Sequence, residues 1–264
     1  MIPKIIHYCW FGRNPLPKLA KKCIKSWKKY CPGYEIIQWN EDNFDIASAP
    51  LYVRQAYEAK KWAFVTDYVR LHVVYEHGGI YLDTDVELRK KLEPLLKYEA
   101  YFGFEDGAHI ATGLGFGAVQ GSPILAEMMA DYADIPFVRA DGSYDLTACP
   151  VRNTQVLLRH GLLQNDRKQT LNGSILILPS IYLCPIDYQT NIRRFSHTTV
   201  SIHWFSASWY SPEMRKRHKT QIKEMRKLRI ASHIHFIVHL PNLLALTLLG
   251  EDKYTTIKSK IRRG

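Results

Sequence analysis

Apolar and polar stretches alternate along this chain in a way that predicts interleaved strands and helices. Lys4-Ile5-Ile6-His7-Tyr8-Cys9-Trp10 is an apolar run closed by Phe11-Gly12 and Asn14-Pro15, the pattern of a buried central strand. Residues 16–30 then set Leu19, Cys23, Ile24 and Trp27 against a stripe of Lys18, Lys21, Lys22, Lys25, Lys28 and Lys29, an amphipathic helix with a solvated face. After the Pro32-Gly33 turn, Tyr34-Glu35-Ile36-Ile37-Gln38-Trp39 reads as a second strand, so the chain opens as β-α-β, the unit of a mostly parallel sheet. A polar loop over residues 40–50 leads into one long helix, or two in succession, over residues 52–77. Further on, Phe102-Gly103-Phe104-Glu105 and Ile175-Leu176-Ile177-Leu178 read as strands, with helices expected from Ser122-Pro123 to about Ala133 and from Arg152 to Leu163.

The helix over residues 52–77 runs into His77-Gly78-Gly79-Ile80-Tyr81-Leu82-Asp83-Thr84-Asp85. The two glycines predict a left-handed helix end. A short apolar strand follows, and strand alternation would aim Asp83 and Asp85 the same way. Two like charges that close repel unless a cation sits with them. Oxygen ligands suit a hard divalent ion, Mg²⁺ or Mn²⁺, which keeps positions open for substrate phosphates. Asp-x-Asp alone is also a common solvated turn, so its context matters. Within the preceding helix Asp67 and Arg70 share a face with Ala63 and Thr66, among aromatic and aliphatic neighbours, which predicts a buried pair with a purpose or a partner. Gly113-Leu114-Gly115-Phe116-Gly117 has no dinucleotide-binding spacing; it reads as a pocket lining or as a tightly packed strand.

Composition narrows the class. The chain has 264 residues, 46% hydrophobic and 23% charged, enough for one domain with a sizeable core. Its five cysteines are odd in number and include no Cys-x-x-Cys pair, which predicts reduced thiols in a cytoplasmic protein. The start shows no signal-peptide pattern, and no apolar run reaches the ~18 residues of a membrane span. Of the net charge of +11, +9 lies in residues 213–264, where 13 Lys or Arg face four Asp or Glu. That segment pairs a basic helix with an apolar stretch too short to span, the makings of a peripheral contact with an anionic membrane or of a helical subdomain docked on the main domain. No interleaving of cations with stacking aromatics points to nucleic acid. The expected organisation is a domain over residues 1–212 with a helical extension over residues 213–264.

Ala63-Phe64-Val65-Thr66-Asp67-Tyr68-Val69-Arg70, followed by Tyr75-Glu76-His77-Gly78-Gly79-Ile80-Tyr81-Leu82-Asp83-Thr84-Asp85, resembles the sugar-binding region of family 32 glycosyltransferases. That family includes yeast-type mannosyltransferases and bacterial capsule or lipopolysaccharide enzymes, and it shares Asp-x-x-Arg and Tyr-x-Asp-x-Asp with the glucosyltransferase domain of large clostridial toxins. The opening Ile2-Pro3-Lys4-Ile5-Ile6-His7-Tyr8-Cys9-Trp10-Phe11-Gly12 is similar too, so the likeness covers about the first 100 residues. The resemblance implies a GT-A-type nucleotide-sugar transferase fold, α/β with a Rossmann-like mixed sheet. It implies a metal-dependent, retaining transfer of a hexose from a UDP- or GDP-sugar to a glycan or lipid-linked oligosaccharide acceptor, in capsule, exopolysaccharide or lipopolysaccharide synthesis. Carried over by position, Trp10 stacks on the nucleobase, Asp67 binds donor-sugar hydroxyls, and Arg70 contacts sugar or phosphate oxygens. Tyr81 joins the donor-binding set, Asp83 holds the ribose or donor sugar, and Asp85 ligates Mn²⁺ or Mg²⁺. From its residues alone, Trp10 reads rather as a core tryptophan.

A second stretch, Val200-Ser201-Ile202-His203-Trp204-Phe205-Ser206-Ala207-Ser208-Trp209, ends a strand in a histidine. In the resemblance this His-x-x-x-x-Ser-Trp element folds over the donor, with His203 as second metal ligand or diphosphate contact and Ser208 and Trp209 closing over the phosphates. Alone, His203 would read as a satisfied core histidine. Glu105 and Asp106 are further contributors to the site. The alternatives to a glycan-building enzyme are a non-catalytic basic membrane- or nucleic-acid-binding protein and an effector that glycosylates a protein. The expected location is the cytoplasm, with a peripheral contact on the inner membrane face.

Overall fold

The computed structural model describes residues 1–206, 213 and 216–228. The chain runs β1 (Ile5–Cys9), α1 (Lys18–Tyr30), β2 (Glu35–Trp39), α2 (Leu51–Glu58), α3 (Trp62–His77), β3 (Gly79–Tyr81) and β4 (Val86–Leu88). It continues through β5 (Ala100–Gly103), β6 (Phe116–Ala118), α4 (Pro123–Ala130), α5 (Cys149–Arg159), β7 (Gln169–Leu171), β8 (Ile175–Leu178), α6 (Ser180–Leu183) and β9 (Ser201–His203). Seven strands form one sheet in the order β2-β1-β3-β6-β5-β8-β7, while β4 and β9 pair in a separate ribbon. β1 lies parallel to both β2 and β3; β6 runs antiparallel between β3 and β5; β5 and β8 are parallel; β7 is antiparallel to β8. This is the mixed α/β sheet expected of a GT-A-type transferase, and the apolar opening run is a central strand within it, as its pattern predicts.

Two apolar clusters cover the sheet. One gathers Tyr52 and Val53 of α2, Val65, Val69 and Val73 of α3, and Ile124 and Leu125 of α4. The other holds Cys23 and Trp27 of α1 with Ile6, Ile80 and Leu176 of the strands. Each fully buried aliphatic side chain here contributes about 1.5–3 kcal/mol of transfer free energy. Trp27 is fully buried and its indole N–H donates to the Val86 carbonyl at 2.7 Å, which ties α1 to the start of β4. α3 is buried along most of its length, and its Asp67 and Arg70 are enclosed rather than solvated. The five cysteines are buried and free.

The helical stretch before the glycines is two helices in succession, α2 and α3, one of the two arrangements its pattern allows. Other local expectations are corrected. Gly78 has positive φ (64°) but ψ of −179°, so the helix ends in an extended glycine-only conformation and not in a left-handed cap. α4 stops at Ala130 and α5 starts at Cys149, with Pro150 in its first turn, ahead of the expected start at Arg152.

The chain divides into two compact units. The first comprises residues 1–188 and 192–209; the second comprises 189–191 and 210–264. In the second, residues 216–228 are helical and the Arg226 guanidinium donates to the carbonyls of Thr190 and Asn191. Among the described residues, no helix is long and apolar enough to cross a membrane. Ser208, Trp209 and the apolar part of the extension lie outside the described residues.

Candidate functional site

The site is built where the chain leaves the main sheet. β3 ends at Tyr81 and β4 begins at Val86, so Asp83 and Asp85 sit in the intervening turn, closed by Val86 N–H donating to the Asp83 carbonyl at 2.9 Å. This corrects the expectation of an extended strand: the chain must turn there to carry β4 out to its ribbon with β9. The carboxylates still converge, but through the turn and the ribbon register. Val86 pairs with His203, and Trp204 N–H donates to the Asp85 carbonyl at 3.1 Å, so His203 lies beside Asp85.

Asp85 Oδ1 is 3.1 Å from His203 Nε2, and Asp85 Oδ2 accepts from the Ser206 backbone N–H at 2.8 Å. Burial disfavours the Asp85 charge, yet the His203 charge and these hydrogen bonds outweigh it and hold the carboxyl well below the usual range. The same pairing acts in reverse on His203: burial pulls its pKa down, and the Asp85 carboxylate overrides that and pushes it up to about 9.

Asp83 faces the other half of the site. Its Oδ1 accepts from the Tyr81 hydroxyl at 2.8 Å and lies 3.5 Å from Arg70 Nη2. Arg70 Nη2 is also 3.1 Å from Asp67 Oδ1, and Arg70 Nε donates to the Thr66 carbonyl at 3.1 Å. The guanidinium stacks on the Tyr81 ring, 5.1 Å from its centroid. Although burial opposes its charge, Arg70 stays ionised because Asp83, Tyr81 and Asp67 surround it. Burial raises the Asp67 carboxyl, with Arg70 pulling against it. The predicted Asp67–Arg70 pair is therefore real, buried, and shared with Asp83.

Tyr81 is only 1% exposed. Its hydroxyl meets the site at Asp83. Trp10 is half-buried at the carboxyl end of β1, its backbone N–H on the Trp39 carbonyl and its indole N–H on the Asn14 carbonyl. Open α/β sheets take ligands at that end. The glycine run divides in two. A Cβ on Gly113 would fall 2.5 Å from Asp83 Oδ2 and 3.1 Å from Arg70 Nη1, so Gly113 lines the site, whereas Gly115 and Gly117 pack on Leu82 and Tyr101.

Several neighbours escape sequence reasoning. Cys149, at the start of α5, places Sγ 3.8 Å from Arg70 Nη1, and Thr112 Oγ1, itself bonded by Asn153 Nδ2 at 3.0 Å, lies 3.8 Å from the same sulfur. Burial pushes that thiol far above its ordinary range, so it serves as a packed neighbour and not as a nucleophile. Glu105, beyond β5, is by contrast one that the sequence singles out: its carboxyl is raised by burial while His203 pulls it down, which puts it at the edge of the same field.

Asp83, Asp85 and His203 each offer a ligand atom, all within 4.8 Å of one another. An octahedral ion with bonds of about 2.1 Å sets its ligands at most about 4.2 Å apart, so this trio is within about half an ångström of that span. The charges agree: with His203 neutral, as a ligand must be, three carboxylates (Asp67, Asp83, Asp85) face the single cation Arg70, and a bound cation would take over the partnership that holds the His203 proton. His203 Nδ1 is buried without a hydrogen-bond partner. Imidazole with carboxylates suits Mn²⁺ well and Mg²⁺ less. The residues present fit a divalent cation.

Residues 17–102 match the family described as "Glycosyltransferase sugar-binding region containing DXD motif", and both aspartates of the motif, with Asp67 and Arg70, lie inside that match. "Inositol phosphoceramide mannosyltransferase 3" of Schizosaccharomyces pombe is 31% identical over 52% of this chain and 38% of its own length. "Mannosyl phosphorylinositol ceramide synthase CSH1" of Saccharomyces cerevisiae is 30% identical over 77% of this chain and 53% of its own. The chain thus spans about half or less of these relatives. A solved structure called "PaToxG Glycosyltransferase" aligns over 60% of this chain and 69% of its own at 18% identity, with a TM-score of 0.45. Over residues 17–102, about a third of its length, the chain is thus similar to glycosyltransferase sugar-binding regions that contain a DXD motif.

Proposed function

We propose that this protein transfers a hexose from a nucleotide-diphosphate sugar to an acceptor hydroxyl, with a divalent cation held by Asp83, Asp85 and His203. The observation that carries this reading is the convergence of those three side chains in the turn after a parallel strand, next to a buried Arg70. A bound cation supplies Lewis-acid neutralisation of the departing diphosphate. The chain's own residues do the rest. Arg70, fixed by Asp67 and the Thr66 carbonyl, sets a permanent charge beside Asp83, where it would meet sugar or phosphate oxygens as they gain negative charge. Tyr81 and Arg70 orient Asp83 from behind, and Gly113 keeps the space in front of it open. Trp10 offers an aromatic face for the base at the end of β1.

Retention of configuration fits the absence, among the described residues, of a carboxylate set free to attack: Asp67, Asp83 and Asp85 are all engaged, and Glu105 stands at the margin. The relatives' names specify mannose and phosphoinositol ceramide acceptors. They support mannose as the sugar and a lipid-borne polar head as the acceptor, in preference to a capsular glycan. A basic segment over residues 213–264 is in keeping with such an acceptor, presented at the cytoplasmic membrane face.

The test is nucleotide release from a panel of UDP- and GDP-sugars with Mn²⁺, Mg²⁺ or EDTA, wild type beside Asp85→Asn. Metal-dependent release from one donor, lowered about 1000-fold in a folded Asp85→Asn protein, is expected. Near-normal release by that variant refutes the role given to Asp85.

A further inference from the structure

A cavity of about 450 Å³ opens on the β4–β9 ribbon and holds none of the residues placed at the donor site. Its wall brings together Lys22 from α1, Arg89 and Lys90 from the end of β4, and Arg193 and Trp204 from the segment around β9, with Glu87 as its one acidic residue. Four cations against one carboxylate leave the cavity strongly positive. Glu87 is bonded already: Lys22 Nζ donates to it at 2.8 Å, Trp204 Nε1 at 3.0 Å, and Arg89 Nη1 at 3.3 Å. It fixes the wall but cannot neutralise all of it. Lys90 donates to the His197 carbonyl, a neutral partner, and the Arg193 guanidinium lies over the Trp204 ring at 5.7 Å. Lys22 covers the same indole at 5.3 Å, so a rigid aromatic plate is set between two cations. Phe195, 51% exposed, adds an apolar edge.

We propose that this cavity is a subsite for a phosphate group carried by the acceptor. Arg and Lys donors around an aromatic plate suit a phosphate oxygen cluster with a ring or chain attached. The placement suits an acceptor: Glu87 lies on β4 two residues after Asp85, and Trp204 directly follows His203. An acceptor anchored there by its phosphate reaches the donor site with its hydroxyl. That place in the reaction rests on the transferase reading above; the binding of phosphate does not.

The experiment is calorimetry on the full chain with two soluble probes, inositol 1-phosphate and dihexanoyl phosphatidylinositol, which carry the phosphate free or lipid-borne without offering a membrane to the basic extension. The Arg193→Gln/Lys90→Gln double variant is compared with wild type and with Lys25→Gln/Lys28→Gln, which removes equal charge from the exposed face of α1. Binding weaker by about 10- to 100-fold in the cavity variant alone, with donor hydrolysis unchanged, is expected. Binding of both probes makes the phosphate itself the ligand, and binding of the lipid-borne probe alone adds the Phe195 edge to recognition. No binding by wild type, an unchanged cavity variant, or equal loss in the α1 variant overturns the proposal. A wild type that binds the probes but releases no nucleotide from any donor keeps the subsite and removes the transferase reading.

Discussion

The two ends of β3 each meet a buried histidine, and the two histidines are in opposite states. At the entry end His7 is fully buried, with Nε2 donating to the Gly78 carbonyl at 2.9 Å and Nδ1 accepting from the Trp39 indole at 3.0 Å. The acceptor bond at Nδ1 needs the neutral ring, whereas the bond to Gly78 survives protonation. Burial, with the nearby His77, pulls its pKa to about 4, and the bond to Gly78 recovers only part of the loss. At the exit end His203 is mostly enclosed, but Asp85 stands 3.1 Å away and its pKa climbs to about 9. Burial acts in the same direction on both. The partner decides the charge, and only the exit end assembles charges that can recruit a cation and a diphosphate. The entry end is a structural joint; the exit end is a site.

The largest test of this contrast removes the cation that holds the exit end. Arg70→Ala leaves Asp67 buried without its partner and is expected to cost about 3–5 kcal/mol in chemical denaturation, along with all turnover. A loss below about 1 kcal/mol would mean that the pair is solvated. At the entry end the expectation is a pH effect. His7 has a folded pKa of about 4 against 6.5 unfolded, so between these values the unfolded chain binds the extra proton and stability falls as pH falls. The loss amounts to about 3 kcal/mol by pH 4, read as the difference between wild-type and His7→Gln denaturation profiles. A profile unaltered by His7→Gln contradicts the neutral, bonded ring. The smallest expected effect is Tyr81→Phe, which removes one hydrogen bond to Asp83: about 1 kcal/mol of stability and roughly tenfold in kcat, with KM for the donor little changed. A rise in KM with kcat preserved would place Tyr81 in direct substrate contact.

Much of this is legible in the sequence because it is local. The runs around Ile5 and Ile36 and the lysine-striped helix between them follow from periodicity. Asp67 and Arg70 pair as their spacing requires, and the motif aspartates can be picked out by their context. What is not legible depends on pairings across the chain. Whether Asp83 and Asp85 lie in a strand or a turn is set by β4 leaving the sheet to join β9, more than 100 residues on. Cys149 meets Arg70 across 79 residues, and no local period encodes that. That Tyr81, the last residue of β3, turns into the core is not written in the motif either. The cations of the ribbon cavity come from three separate segments, so they appear in the sequence only as ordinary surface charge.

The central claim is that Asp83, Asp85 and His203 hold a divalent cation. Mn²⁺ binding, followed by electron paramagnetic resonance on the full chain with UDP or GDP present, tests it without relying on turnover. The account predicts saturable Mn²⁺ binding by wild type and its loss in Asp85→Asn of unchanged fold. Equal binding by both proteins, or none by wild type with either nucleotide, would contradict it.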